Sequence, residues 1–223
     1  MQAEQAIFTS MSRRGRAGYH LVARSPGVSE AEASALERWC PSHGGLLVDD
    51  ENAVSVNFFR LNGGRFVISR TCLGRPEFSG RGGRQVYTRA LLVGPEILNR
   101  AGFRPFLIYR DALALGHLHF RPDPPMALPR VELSSYFEVQ GLDVGSTWNR
   151  DQNLPVFDSI INQLNAGQSV VVPFAGDRTA LAESILSRID PTATPSLSFA
   201  TSLRPSNVRP FQFHVVPPGT EGS

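Results

Sequence analysis

Apolar residues along this chain come in short bursts, and their period changes from one burst to the next. Ala6-Ile7-Phe8 and Tyr19-His20-Leu21-Val22-Ala23 are runs of strand length on either side of a loop rich in arginine and glycine. Between Val54 and Phe58, apolar residues alternate with Ser55 and Asn57, which predicts a strand with one buried and one wet face. Asn62-Gly63 follows. That pair tolerates positive φ, so a tight hairpin turn is expected there, with residues 65–72 as the return strand. Residues 74–84 carry Pro76, Gly80, Gly82 and Gly83 and read as a loop. Residues 85–93 read as a further strand, and residues 103–109 as strand or extended chain.

Helical spacing is plainer. Ser29 followed by Glu32 forms a capping box, Ala33, Leu36 and Cys40 recur on one face, and Pro41 stops the run, predicting a helix over 30–40. Residues 95–101 suit a short helix with Gly102 past its end. Val156, Ile160, Ile161 and Leu164 mark an amphipathic helix, with Asn153 and Pro155 at its start and Gly167 at its end. A strand at 170–172 precedes a second amphipathic helix carrying Leu181, Ile185, Leu186 and Ile189. Strands at 197–201 and 211–216 close the series.

The fold class expected is α/β or α+β: a mixed sheet with a few amphipathic helices. Its N- and C-terminal segments should share one core, because each is too small to bury its own. The pattern divides into a β-rich lobe at 1–121, a connector at 122–152, an α/β lobe at 153–217 and a tail at 218–223. Pro122, Pro124, Pro125 and Pro129 mark the connector. A single domain with this stretch packed over the core fits as well.

Composition narrows the chemistry. The 223 residues are 41% hydrophobic, enough for a core, and the net charge of +2 sets up no global field for nucleic acid. All 22 basic residues are arginine. Without lysine there is no Schiff-base amine and no phosphate-binding P-loop lysine, so the chain is not expected to be the NTPase of any system it serves. Cys40 and Cys72 make no disulfide framework. The chain opens on no signal-like segment and has no apolar run near the roughly 20 residues of a membrane span, which leaves the cytoplasm by elimination.

Candidate sites follow from residue type. Residues 170–179 run from strand through loop to helix, a topology able to hold phosphate, but with one glycine and no lysine. Asp177 or Thr179 is better read as a helix cap. Cys40, His43, His117 and His119 make a zinc site only if they converge in space. No Gly-x-Ser-x-Gly turn or recognisable protease cysteine is present, so no catalytic, cofactor-binding or metal-binding residue is assigned. The arginine clusters stand out. Arg13, Arg14 and Arg16 fall in the first loop, and Arg81 and Arg84 in the second. Planar guanidinium forks suit carboxylates and phosphates, so these five residues are the candidate partner-binding set. Phe78 is the one aromatic near either loop in sequence, which favours a protein partner over nucleic acid.

Several blocks resemble a known family. The strand Ala6-Ile7-Phe8, the step Thr9-Ser10, the glycine-rich loop and the turn Ala23-Arg24-Ser25-Pro26-Gly27 are similar to the start of the N-terminal domain of the bacterial GTPase-associated protein one family. Leu197-Ser198-Phe199-Ala200-Thr201-Ser202-Leu203 and Arg209-Pro210-Phe211 look like that domain's later strands, so the resemblance brackets Gln5 to Pro217. It implies a non-enzymatic adaptor or scaffold, needing no cofactor, that works beside P-loop GTPases in a bacterial conflict or defence system. It transfers no catalytic motif. A ligand- or nucleotide-sensing domain, or a metal-dependent or nucleophilic hydrolase, remain the rival readings.

Overall fold

The computed structural model describes residues 1–12, 15–49, 52–77, 83–135, 137, 154–209 and 211–220. Within them a mixed sheet of nine strands runs through the molecule, giving an α+β fold. The hairpin β1 (Gln2–Ser10) and β2 (Tyr19–Arg24) lies beside a meander of β3 (Val54–Arg60), β4 (Phe66–Pro76) and β5 (Arg84–Val93). A short β6 (Val131–Glu132) pairs with the start of β1. Then β7 (Val170–Pro173), β8 (Phe199–Thr201) and β9 (Phe213–Val216) form a parallel set in the order β8-β9-β7. The full order is β2-β1-β5-β4-β3-β8-β9-β7. Antiparallel pairing of β3 with β8 joins the N-terminal strands to the C-terminal ones, so the two ends of the chain share one core as expected.

Helices cover both faces. α1 (Glu30–Trp39) lies on one, where Ala33 and Leu36 pack with Ala6, Val67, Ala90 and Leu92. On the other, α2 (Pro95–Arg100), α3 (Pro105–Ala114), α4 (Leu154–Asn165) and α5 (Arg178–Leu186) enclose Phe58, Ile68, Leu91, Phe199 and Val215. The capping box at Ser29 is formed in full, and its Glu32 carboxylate also accepts from Arg65 Nε at 2.6 Å, tying α1 to the β3–β4 turn.

Several local expectations change. Ser55 and Asn57 are buried, not wet, because the sheet is covered on both sides. They survive burial by bonding sideways: Ser55 Oγ donates to Asn57 Oδ1 at 2.7 Å, and Asn57 Nδ2 donates to Ser69 Oγ at 3.1 Å. In the β3–β4 turn the positive φ falls on Gly64, not on Asn62-Gly63. Gly64 N–H bonds Leu61 C=O and Leu61 N–H bonds Arg65 C=O, so the chain turns tightly where expected, with Gly64 taking the left-handed position. The segment read as strand or extended at 103–109 is mostly helix α3, with Pro105 in its first turn. On α4, Phe157 is buried with Ile160 and Leu164, while Val156 faces solvent. In the proline-rich stretch, Leu128 N–H bonds Arg24 C=O and Val131 pairs with Ala3, so its described part packs against the sheet. Residues 136 and 138–152 of the expected connector lie outside the described residues, as does Asn153.

The turn after β2 works as a clamp on β1. Ser25 Oγ accepts from Gln5 N–H at 2.8 Å, and Ser25 N–H donates to Gln5 C=O at 2.9 Å, where the β1–β2 ladder would otherwise end. Glu4 reaches under the turn. Burial raises its carboxyl, but Ser25, Arg130 and the Gly27 N–H together hold it below the usual carboxylate range. A Cβ on Gly27 would come within 2.0 Å of that carboxylate. Ser25 is fully buried, so Ser25→Ala strands the Gln5 N–H and should destabilise the fold by about 1–3 kcal/mol. Urea unfolding checks this; an unchanged midpoint would mean the clamp is decorative.

Candidate functional site

β1 and β5 are antiparallel neighbours, with Thr9 opposite Tyr87, so the loop after β1 and the loop before β5 leave the sheet at the same end. Met11 N–H bonds Gly18 C=O at 3.1 Å across the first loop, and Glu77 N–H bonds Gly83 C=O at 3.0 Å across the second. Glu77 ties the two together. Its carboxylate accepts from Ser10 Oγ at 3.0 Å and Tyr19 Oη at 3.4 Å, while Tyr19 Oη accepts from Val86 N–H. His43 Nδ1 approaches the same carboxylate at 3.8 Å. The bases of both arginine loops seen in the sequence thus lie at one end of the sheet, on shared polar contacts.

Arg16 and Arg84 are the described members of the candidate set; Arg13, Arg14 and Arg81 lie outside the described residues, as does Phe78. Arg16 pairs with Glu37 of α1 at 3.0 Å, exposed to solvent. Glu37 also accepts the Leu21 N–H at 3.0 Å, on the outer edge of β2. Arg84 Nε donates to Gly74 C=O at 2.8 Å at the base of its own hairpin. The two side chains line different clefts: Arg16 the groove between β2 and α1, and Arg84 a cleft on the helix-covered side of β4.

That second cleft was invisible in the sequence. It holds about 310 Å³ and is lined by Arg70, Arg84, Cys72, Leu73, Phe120 and the turn at Asn52–Val54. A companion cleft of about 310 Å³ lies beyond Phe120, lined by Arg75, Arg121, Gln85, Tyr87 and Ser10 among others. Phe120 stands between them, 38% exposed, edge-on to Tyr87 with ring centroids 4.9 Å apart. Behind it, Arg89 is buried. Its guanidinium donates to Gln5 Oε1 at 2.8 Å and to His119 C=O at 3.3 Å, while its Nε has no partner among the described residues. Burial and neighbouring Arg121 weaken the charged form of Arg89, against the pull of Tyr87. Burial raises the Tyr87 phenol to about 12, so it remains a neutral hydrogen-bonding group.

The other candidates do not assemble. Asp177 caps α5, its Oδ1 accepting from Thr179 and Ala180 N–H at 2.9 and 3.0 Å, as the sequence suggested. Arg178 at that helix start is engaged by Asp49 in a two-pronged pair at 2.7 and 2.8 Å. Cys40 is buried, which raises its thiol to about 12 and removes it as a nucleophile. His117 Nε2 is bonded to Glu132 C=O at 2.9 Å, far in role from His43 beside Glu77. Among the described residues, no group of three His, Cys, Asp or Glu side chains is placed to hold a metal ion. No described helix is long and apolar enough to cross a membrane.

Comparison with known families decides the assignment. The model of the GTPase-associated protein 1 N-terminal domain, type 2, matches residues 2–134. The chain belongs to this family. The matched segment holds β1–β6 and α1–α3, so the Ser25 clamp, both arginine hairpins and Phe120 all lie inside the GTPase-associated domain. α4, α5, β7, β8 and β9 lie beyond the match, yet the three strands extend the same sheet. No curated protein and no solved structure matches the chain. Membership associates the protein with a GTPase system.

Proposed function

We propose that this GTPase-associated domain is a non-enzymatic adaptor. It docks a protein component of a P-loop GTPase system through the sheet end that carries its two arginine hairpins, in the setting of a bacterial conflict or defence system. The observation that carries this reading is the Glu77 tie, which holds both hairpin bases side by side on a sheet covered elsewhere by helices. Guanidinium forks on paired loops suit acidic protein surfaces. The adaptor role agrees with a chain that has no lysine and whose Cys40 thiol is held neutral.

Changing Arg13, Arg14 and Arg16 together to alanine tests it. The Arg16–Glu37 pair is exposed, and pairs of that kind contribute about 0–1 kcal/mol, so the fold should stand. Capture of the GTPase-system protein from native host extract, with and without GTP, should drop, most strongly at low salt. Undiminished capture by the folded variant would refute docking through the first hairpin.

A further inference from the structure

We propose that Phe120 and the arginines flanking it form a binding site for a base–phosphate unit: a nucleoside phosphate, either as a small molecule or within a single-stranded oligonucleotide. The inference goes beyond the adaptor reading and centres on Phe120, on a surface that adjoins the arginine hairpins and shares Arg84 with the second. Four arginines, Arg70, Arg75, Arg84 and Arg121, line the two clefts that meet at Phe120, and among the described residues neither cleft has a carboxylate in its lining. Among the described residues, no carboxylate lies within ion-pair distance of Arg70, Arg84, Arg89 or Arg121. Arg75 alone has one, Asp123 at 2.9 Å. Glu77 adjoins the Arg75 cleft through its bond from Ser10 Oγ, and Asp49 and Asp177 lie in an adjoining cleft across Asn52–Val54, where Arg178 and the α5 cap occupy them.

Like charges gathered without counter-charges destabilise a folded chain unless an anion joins them. Arg89, buried behind Phe120 with its Nε unpartnered among the described residues, adds to the local positive potential. Phosphate suits this arrangement because each fork can bond two of its oxygens. The preferred phosphate side is the cleft of Arg70 and Arg84, since Asp123 already holds Arg75. The base belongs on Phe120. That ring is exposed and fixed from behind by Tyr87, and every base has a π-face to stack on it. Each cleft, at about 310 Å³, falls at the small end of ligand sites, and the pair together accommodates base on one side and phosphate on the other. The pairing of arginine with an exposed aromatic is what the sequence failed to place beside either loop.

Titration calorimetry on the whole chain tests the site with ATP, GTP, adenosine, tripolyphosphate and an octathymidylate. ATP and GTP should bind saturably with similar affinity, because stacking tolerates any base, and binding should weaken as salt rises. Adenosine should bind far more weakly than ATP. Phe120→Ala should weaken ATP about tenfold and leave tripolyphosphate unchanged, while Arg70→Gln should weaken both. An octathymidylate that binds more tightly than ATP, with the same dependence on Phe120, identifies a single strand as the source; the reverse order identifies a free nucleotide. No saturable binding of ATP, GTP or the oligonucleotide overturns the proposal, as does binding indifferent to Phe120→Ala. If Arg70→Gln does not fold, the split between ATP and tripolyphosphate in Phe120→Ala still decides. Partner capture by the Phe120→Ala variant reads the adaptor role separately, so failure of one reading leaves the other standing.

Discussion

A chain lacking residues 1–10 should show no cooperative thermal unfolding transition. β1 is an interior strand, hydrogen-bonded to β2 on one side and β5 on the other, and it also pairs with β6. Removing it takes away the fully buried Ile7 and nearly buried Phe8, each contributing roughly 1.5–3 kcal/mol by burial. It also removes the sheet partner of β2, strands the Ser25 clamp, and exposes the edge and apolar face of β5. Domains carry only about 5–15 kcal/mol of net stability, so these losses together exceed what the remainder can supply. Calorimetry and near-UV circular dichroism read the outcome. A truncated chain that still melts cooperatively near the parent temperature would show β1 to be dispensable.

Acid should destabilise the protein before its low-lying carboxylates begin to titrate. His214 sits on β9, buried against Phe211, with Nδ1 unpartnered among the described residues. Burial, aided by the charge of Arg209 and opposed by the bond to Leu203 C=O, lowers its pKa from 6.5 to about 4. Between those values the unfolded chain binds a proton that the folded chain refuses. Stability is therefore full above pH 6.5 and falls as pH drops toward 4, by about 3 kcal/mol in total at roughly 1.4 kcal/mol per pKa unit. Glu4, Glu32, Glu37 and Asp49, whose carboxyls are held low by their partners, add losses of the same sign only below their ordinary value near 4. Burial raises the Glu183 carboxyl against its pairing with Arg110, so that group adds stability as pH falls and does not supply the loss; the fall between pH 6.5 and 5 belongs to the histidine. Urea unfolding across that window should show falling stability in the parent and no fall in His214→Gln. Equal slopes in both would place the titration elsewhere.

Local signals were legible wherever the interacting groups are close in sequence. Ser29 and Glu32 stand three residues apart and form the capping box that the spacing predicts. Asp177 caps α5 through N–H groups two and three residues on. The apolar run at 103–109 failed because continuous hydrophobicity carries no period, so strand and buried helix look alike. Pro105 and the positive φ of Phe103 mark the start of α3, but only as the chain turns out of α2. Ser55 and Asn57 misled for a different reason. Alternation reports polarity, and polar side chains are tolerated inside when partners such as Ser69 on the next strand meet them.

By itself, then, the sequence determined most element types, the caps at Ser29 and Asp177, the lack of a P-loop lysine and, through the blocks around Thr9-Ser10 and Ser25-Pro26-Gly27, the family. Each of these depends on residue identity or on neighbours within a few positions. Tertiary structure decided everything that depends on pairing between distant segments. The pairing of β1 with β5 brings both arginine hairpins to one end. Glu37 of α1 engages Arg16 across twenty-one residues, and Phe120 comes to stand beside Arg84 although no local rule links them. The physical reason is that contacts between remote residues follow from which faces the whole chain must bury, and that choice is made by the core rather than by any single segment.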